Sequence, residues 1–194
     1  NFHFDLGGGL GICYKDENPP TPQKFFTPIL NTIEKWASGK SISMPRVIFE
    51  LGRSIVGPSG ILVSKIITLK SSEDSQGKNF MIVDAAMNDI LRPSLYNAYH
   101  HIFKINQSSH GGKTKKWDIV GPICETGDWL GKDRLMNPRE GDLIGLASAG
   151  AYGSSMTSNY NSRCKPAEIM VRQNGKIDLI KIRESFDDLI LKEL

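Results

Sequence analysis

One strand–helix–strand pattern, followed by a long run of short strands, most constrains what this chain can fold into. Residues 2–6 are apolar-rich and end in Gly7-Gly8-Gly9-Leu10-Gly11, which predicts a buried strand followed by a loop with accessible backbone. A polar, Pro-rich connection from Asp16 to Pro22 comes next. Phe25, Phe26, Ile29, Leu30, Ile33 and Trp36 then recur at helical spacing, predicting an amphipathic helix that ends near Gly39. Arg46-Val47-Ile48-Phe49-Glu50 reads as a second strand, stopped by Gly52. Strand, helix and strand form one βαβ unit, which implies parallel pairing. One such unit cannot cover both faces of its sheet, so the remaining strands must come from elsewhere. A complete (β/α)8 barrel takes roughly 250 residues, more than the 194 of this chain. Asn1 leads straight into Phe2-His3-Phe4, with no initiator Met, cap or polar leader. The expectation is the C-terminal part of a longer protein.

The pattern changes after Gly57-Pro58. Ile61–Leu69, Phe80–Val83, Trp117–Val120, Asp142–Leu146, Ala167–Val171 and Lys176–Ile182 read as short strands punctuated by Gly, Pro, Asn and Ser. Such spacing predicts a mostly antiparallel β-domain. Pro93–His101 reads as a short helix with Pro93 in its first turn, and Ser185–Leu194 as a closing helix. Ser71–Asn79 and Asn106–Lys116 read as polar, hairpin-type loops, and Lys132 to Arg134 as a basic loop. The fold class is therefore α/β plus β, with residues 1–57 as the α/β part and 58–194 as the β-domain.

Bulk properties narrow the function classes. The net charge is only +3, and apart from Lys113–Lys116 the cations are dispersed, so no nucleic-acid stripe is present. No apolar run approaches the ~20 residues of a membrane span, and no signal peptide opens the chain. Cys13, Cys124 and Cys164 are odd in number and widely spaced, which indicates neither a zinc site nor a disulfide framework. A reducing cytoplasm is the default. Asn106-Gln107-Ser108 fits the glycosylation pattern but carries no meaning there.

Five segments carry candidate chemistry. Gly7, Gly8 and Gly9 directly follow a strand, so their amides could face an anion; a tight turn would need the same residues. The dinucleotide pattern G-x-G-x-x-G fails at Ile12, and the phosphate-loop pattern ending at Gly112-Lys113-Thr114 fails at Gln107. Glu50 stands at a strand end, where parallel α/β barrels place active-site groups, and Arg53 could clamp a phosphate or carboxylate. A surface ion pair between the two is the plainer alternative. Arg92 and Tyr96 are four residues apart across a helix start and could share one face. In Val120-Gly121-Pro122-Ile123-Cys124-Glu125-Thr126-Gly127-Asp128-Trp129, a thiol sits beside a carboxylate among turn-forming residues. Small residues flank Tyr152 in Ala147-Ser148-Ala149-Gly150-Ala151-Tyr152-Gly153, and Asn159-Tyr160-Asn161-Ser162-Arg163 follows as a polar loop. His3, His100, His101 and His110 show no metal-ligand spacing.

Taken in this order, these segments resemble the C-terminal part of the diaminopimelate decarboxylases, which belong to the alanine racemase-like enzymes of fold type III that use pyridoxal 5′-phosphate (PLP). The resemblance runs from L-G-G-G-L-G-I to the terminal E-S-F-D-D-L-I, and D-A-A-M-N-D-I-L-R-P-S-L-Y-N-A-Y-H and V-G-P-I-C-E-T-G-D are its most specific parts. It implies that the βαβ unit is the final portion of a PLP-binding (β/α)8 barrel and that a C-terminal β-barrel or sandwich follows. Gly8 and Gly9 (with Gly7) would present amides to the PLP phosphate, Glu50 would pair with the pyridine nitrogen, and Gly52 and Arg53 would lie at the cofactor. Arg53 would also touch substrate, Arg92 and Tyr96 would hold a substrate carboxylate, and Tyr152 would contact both PLP and substrate. Cys124 would donate the proton that replaces carbon dioxide, and Glu125 would read the distal amino group, both reaching into the partner's site of a homodimer. The implied reaction is decarboxylation of meso-2,6-diaminopimelate to L-lysine, the last step of lysine biosynthesis.

The family's lysine that anchors the cofactor lies early in the barrel, so these residues alone are expected to be inactive. Leu51 replaces the Pro usual between Glu50 and Gly52, which should have a modest effect. Two alternatives stay open: a non-catalytic dimerising or regulatory relative, and a related basic amino acid or carboxypolyamine decarboxylase.

Overall fold

The computed structural model describes residues 2–74, 77–105 and 113–193. The glycosylation-type triplet, His110 and Gly112 lie outside the described residues, as does most of the loop expected at Asn106–Lys116. The βαβ reading is borne out. Strand β1 (His3–Asp5), helix α1 (Pro22–Gly39) and strand β2 (Arg46–Ile48) follow in order, and β1 pairs parallel with β2 in the register His3↔Arg46, Phe4↔Val47, Asp5↔Ile48. The ladder continues beyond the strands through Leu6 N–H to Ile48 O (3.0 Å) and Glu50 N–H to Gly7 O (2.8 Å). Helix α1 starts where the Thr21 hydroxyl accepts from the Lys24 amide, with Pro22 in the first turn. It closes as Lys40 N–H bonds Trp36 O and Ala37 O, before Ser41 turns to φ 54°. Phe2, Phe4 and Trp36 form an edge-packed aromatic cluster, and Phe25, Phe26 and Phe49 a second.

A short helix α2 (Gly52–Val56) and a 3-10 turn (Gly57–Ser59) lead into a six-stranded sheet. Its strands are β3 (Leu62–Lys70), β4 (Phe80–Val83), β5 (Ile102–Lys104), β6 (Lys115–Val120), β7 (Trp129–Met136) and β8 (Leu143–Leu146), in the spatial order β5-β8-β3-β4-β6-β7. Every pairing is antiparallel except β4 with β6. The first half of β3, Leu62–Lys65, pairs β8, and the second half, from Ile66, pairs β4. This long strand therefore joins two halves of the sheet. One continuous core fills the concave side: Ile66, Met81, Val83, Ile90, Ile119, Leu130, Ile144 and Leu146 have no exposed surface. A separate hairpin of β9 (Glu168–Val171) and β10 (Ile177–Lys181) and a short helix α4 (Phe186–Ile190) end the chain. Ser185 and Asp188 cap α4 reciprocally.

Four sequence expectations need correction. Lys132 to Arg134 are not a loop but part of β7, whose Gly131 and left-handed Asp133 (φ 53°) disguise a bulged strand. The helix expected over Pro93–His101 is only α3 (Arg92–Tyr96), because Asn97 adopts φ 53° and ends it. Strand β5 follows directly after the span expected to be helical, and β5 and β6 are not partners, so no hairpin joins them. The closing helix covers only Phe186–Ile190 of the expected span.

Candidate functional site

The first group of site residues gathers at the C-terminal ends of the two parallel strands. Gly7 (φ 66°) and Gly9 (φ 109°) hold a loop that an L side chain would strain. At Gly8 the reason for glycine is space: an added Cβ would lie 2.6 Å from the Glu50 carbonyl oxygen. The Gly7 amide is engaged by Asp5 Oδ1 at 2.9 Å. The amides left to face an anion are therefore those of Gly8 and Gly9, which donate to no acceptor among the described residues. Glu50 is exposed at the end of β2 and makes no ion pair with Arg53 among the described residues. Arg53 instead lies over the Tyr152 ring, 5.5 Å from its centroid.

Tyr152 sits at φ 58°, a backbone state costing roughly 1–3 kcal/mol for a residue with a side chain. Its loop is held against α2 and the turn after it, with Ala149 N–H on Gly60 O (2.9 Å) and Gly150 N–H on Gly57 O (3.1 Å). Only glycine fits at Gly150, where a Cβ would fall 1.9 Å from the Val56 carbonyl oxygen. The packing of these backbones brings Arg53 and Tyr152 together across 99 residues of sequence.

Cys124 and Glu125 form the second group, both exposed on the loop joining β6 to β7. Asp128, buried at the end of that loop, organises it. Its carboxylate accepts from Ile123 N–H (2.7 Å) and Met87 N–H (2.7 Å), and its own amide donates to Glu125 O (3.1 Å). Burial pushes the Asp128 carboxyl up from its ordinary value, and the two amides oppose that. The Glu125 carboxylate accepts from the Tyr160 hydroxyl. That contact holds the Tyr160 phenol above its ordinary value, since ionising it would place two negative charges side by side. Cys13, Cys124 and Cys164 are all unpaired thiols.

Arg92 and Tyr96 open and close α3, and no side-chain hydrogen bond joins them among the described residues. Tyr96 is 64% exposed, whereas Arg92 is 8% exposed and stacks on a different phenol, Tyr14, at 4.6 Å. The Arg92 guanidinium also meets Nε2 of fully buried His100 at 3.1 Å. His100 Nδ1 lies 2.9 Å from Ala147 O, so the tautomer that satisfies both contacts carries its proton on Nδ1 and accepts from Arg92 at Nε2. Burial pushes the His100 pKa down, and the nearby Arg92 and Arg134 charges add to this. Arg92 has no carboxylate partner among the described residues, an arrangement suited to receiving one from a ligand.

Sequence reasoning missed Asp128, Tyr160, Tyr14 and the role of Asn88. Asn88, 3% exposed, donates from Nδ2 to Tyr160 O (2.8 Å) and Ser158 O (3.1 Å). Asp128 was legible in part, as an acidic residue closing a Gly-rich turn. The other three act across 35 or more residues of sequence, Tyr160 on Glu125 at a separation of 35 and Asn88 on Tyr160 at 72, where no spacing signal exists. No group of potential metal ligands occurs among the described residues, and no helix of the described residues is long and apolar enough to cross a membrane.

Comparison with known proteins matches residues 13–150 to the family model of the pyridoxal-dependent decarboxylase C-terminal sheet domain. The chain is 44% identical, over 96% of its length, to the diaminopimelate decarboxylase of Vibrio cholerae and 45% identical, over 99%, to that of Neisseria meningitidis. It spans 42% and 43% of those two relatives, under half their length. Among solved structures it superposes on the diaminopimelate decarboxylase of Helicobacter pylori complexed with L-lysine, with TM-score 0.86 and 40% identity, over 98% of this chain and 44% of that one.

Proposed function

Because the chain belongs to the pyridoxal-dependent decarboxylase family, we propose that the complete polypeptide decarboxylates meso-diaminopimelate to L-lysine and that these residues supply its C-terminal part. The observation that carries this reading is the pairing of an exposed thiol with an exposed carboxylate on a loop fixed by buried Asp128, in a chain 44% identical along 96% of its length to a diaminopimelate decarboxylase. Residues 1–57 would be the end of a (β/α)8 barrel and 58–194 the β-domain. In support, an apolar trough of about 370 Å³ runs along α1 between Leu6, Pro28, Ile29, Thr32 and Ile33, open to further strands and helices.

The cofactor fits the residues present. The free Gly8 and Gly9 amides suit a phosphate, a Cβ at Gly8 would be excluded by Glu50, and Glu50 suits a protonated ring nitrogen. Gly52, Arg53 and Tyr152 complete that side. The chemistry supplied by bound PLP is that of an electron sink. The protein's own residues would do the rest. Arg53, Arg92 and Tyr96 bind and orient carboxylates through charge-assisted hydrogen bonds. Glu125 reads the distal ammonium, and the Cys124 thiol holds the proton delivered to the carbon that loses carbon dioxide.

Cys124 and Glu125 are exposed on their loop, and in this reading the thiol and carboxylate serve the partner's site of a homodimer. The test is lysine formation from meso-diaminopimelate by the full-length parent and its Cys124→Ala variant. We expect turnover by the parent, a loss of about 10²–10⁴ in kcat in the variant, and no lysine from residues 1–194 alone. Full kcat in Cys124→Ala would remove the thiol from the chemistry.

A further inference from the structure

The loop that carries Cys124 and Glu125 and the loop that carries Tyr160 are pinned by two consecutive residues. The Met87 amide bonds Asp128 Oδ1 at 2.7 Å, fixing the first loop. The neighbouring Asn88 side chain bonds Tyr160 O and Ser158 O, and Ser158 N–H returns to Asn88 O at 3.2 Å, fixing the second. Asn161 and Ser162, directly after Tyr160, both hold left-handed backbone at φ 55°. Strain of that kind persists only where the surroundings over-determine it. The outcome is one side-chain contact, the Tyr160 hydroxyl donating to Glu125 Oε1.

We propose that Tyr160 is a positioning residue that sets substrate specificity, orienting the Glu125 carboxylate so that its second oxygen faces an ammonium group. This rests on the reading of the site given above. A carboxylate on an exposed loop samples several rotamers, and fixing one oxygen removes that freedom before ligand arrives. The phenol suits the task because it is protonated, and hence a donor, over the neutral range, and the adjacent carboxylate raises its pKa further above the ordinary 10.0. The ligand recognised is the distal ammonium of a substrate with an amino acid group at each end. An analogue with hydrogen in place of that amino group gains nothing from the arrangement.

The experiment uses the full-length enzyme and its Tyr160→Phe variant, which keeps the ring and removes only the hydroxyl. Steady-state kinetics are run on meso-diaminopimelate and on 2-aminopimelate, which lacks the distal amino group. The expected result is a rise of about tenfold in KM for diaminopimelate, equal to about 1.4 kcal/mol, with kcat changed less than about threefold and constants for 2-aminopimelate unmoved. Equal losses on both substrates, or none on either, would overturn the proposal. A second readout needs no turnover: in Glu125→Gln the Tyr160 phenol should titrate lower than in the parent, followed by ultraviolet difference against Tyr160→Phe. An unchanged titration would remove the contact itself. A parent that binds PLP but does not turn over diaminopimelate would refute the functional reading, while the titration still decides the contact.

Discussion

The βαβ unit and the six-stranded sheet bury their apolar residues to very different extents. Along the 18 residues of α1 only Ala37 is buried, and Trp36 in the helix and Phe2, Leu6 and Ile48 beside it stay exposed. In the sheet, seven large residues have no exposed surface, and Ile90 just before α3 joins them. The lesson is about what closes a layer. A mostly antiparallel sheet that curls over its own side chains supplies both walls of its core, whereas an isolated parallel pair needs cover on both faces. The buried core of this chain therefore lies in the sheet, while the βαβ unit, which carries Gly8, Gly9 and Glu50, keeps most of its apolar residues at least partly exposed.

The largest test of this contrast is a pair of truncations measured by urea unfolding. Leu130→Ala in the sheet core should cost about 2–5 kcal/mol. Ile29→Ala in α1, only half-buried, should cost about 1 kcal/mol or less in this chain. Equal costs would break the comparison. Next in size is Gly150→Ala, whose Cβ would meet the Val56 carbonyl oxygen. We expect a loss of about 1–3 kcal/mol and faster amide exchange at Ala149 and Gly150, where the Tyr152 loop grips the turn at Gly57–Gly60. Gly127→Ala, whose Cβ meets nothing within 4 Å, should stay within about 0.5 kcal/mol.

Smaller still is Leu51→Pro. Leu51 has φ −86°, and its amide donates to no acceptor among the described residues, so proline is tolerated there. PLP affinity of the full-length protein should change by less than about tenfold, or ~1.4 kcal/mol, as read from cofactor titration.

The smallest effect separates the loops around Asp89 and Asp128 from the terminal hairpin by pH. Glu168 is held below its ordinary value by the Ser154 hydroxyl and Lys181, Asp178 by Arg172 and Lys176, and Glu184 by the Lys165 amide and Asn159. A carboxyl with a lowered folded pKa contributes stability above its unfolded value, and that stability is lost as pH falls through the folded value. The protection of hairpin amides, relative to exchange in the unfolded chain at the same pH, should therefore fall as pH drops below the ordinary carboxylate values of 3.8 and 4.5. Buried Asp89 and Asp128 have raised values. They take up protons more readily when folded, so protonation stabilises the loops around them over the acid window and the amides there should stay protected longer. Asp118 in β6, held low against the effect of burial by its bond to Lys78, behaves instead as the hairpin carboxyls do. Simultaneous loss of protection in both regions would contradict this.

Much of this architecture was legible because it rests on local periodicity. The register of alternating residues in β3 and β4, and the 3.6-residue stripe of α1, are written in adjacent positions. Strand β7 was not legible, since Gly131, Lys132 and Asp133 read as a loop and only the ladder with β6 makes them a strand. Strand β5, three residues long, is defined by pairing with β8 rather than by any local signal. Likewise the ending of α3 at Asn97 depends on one residue adopting a left-handed state, which Asn tolerates without requiring it.

The sequence by itself determined which residue types could do chemistry and in what order they occur: the glycine loop, Glu50 and Arg53 at a strand end, the adjacent Cys124 and Glu125, and Tyr152 among small residues. These are local facts, set by turn geometry and side-chain identity. Only the tertiary structure decided who meets whom. It gave Arg92 to Tyr14 and His100 rather than to Tyr96, set Arg53 on Tyr152, and used Met87 and Asn88 to bring Tyr160 to Glu125. The physical reason is that such contacts close over tens of residues, where the outcome depends on sheet order and core packing and leaves no trace in the spacing of neighbours along the chain.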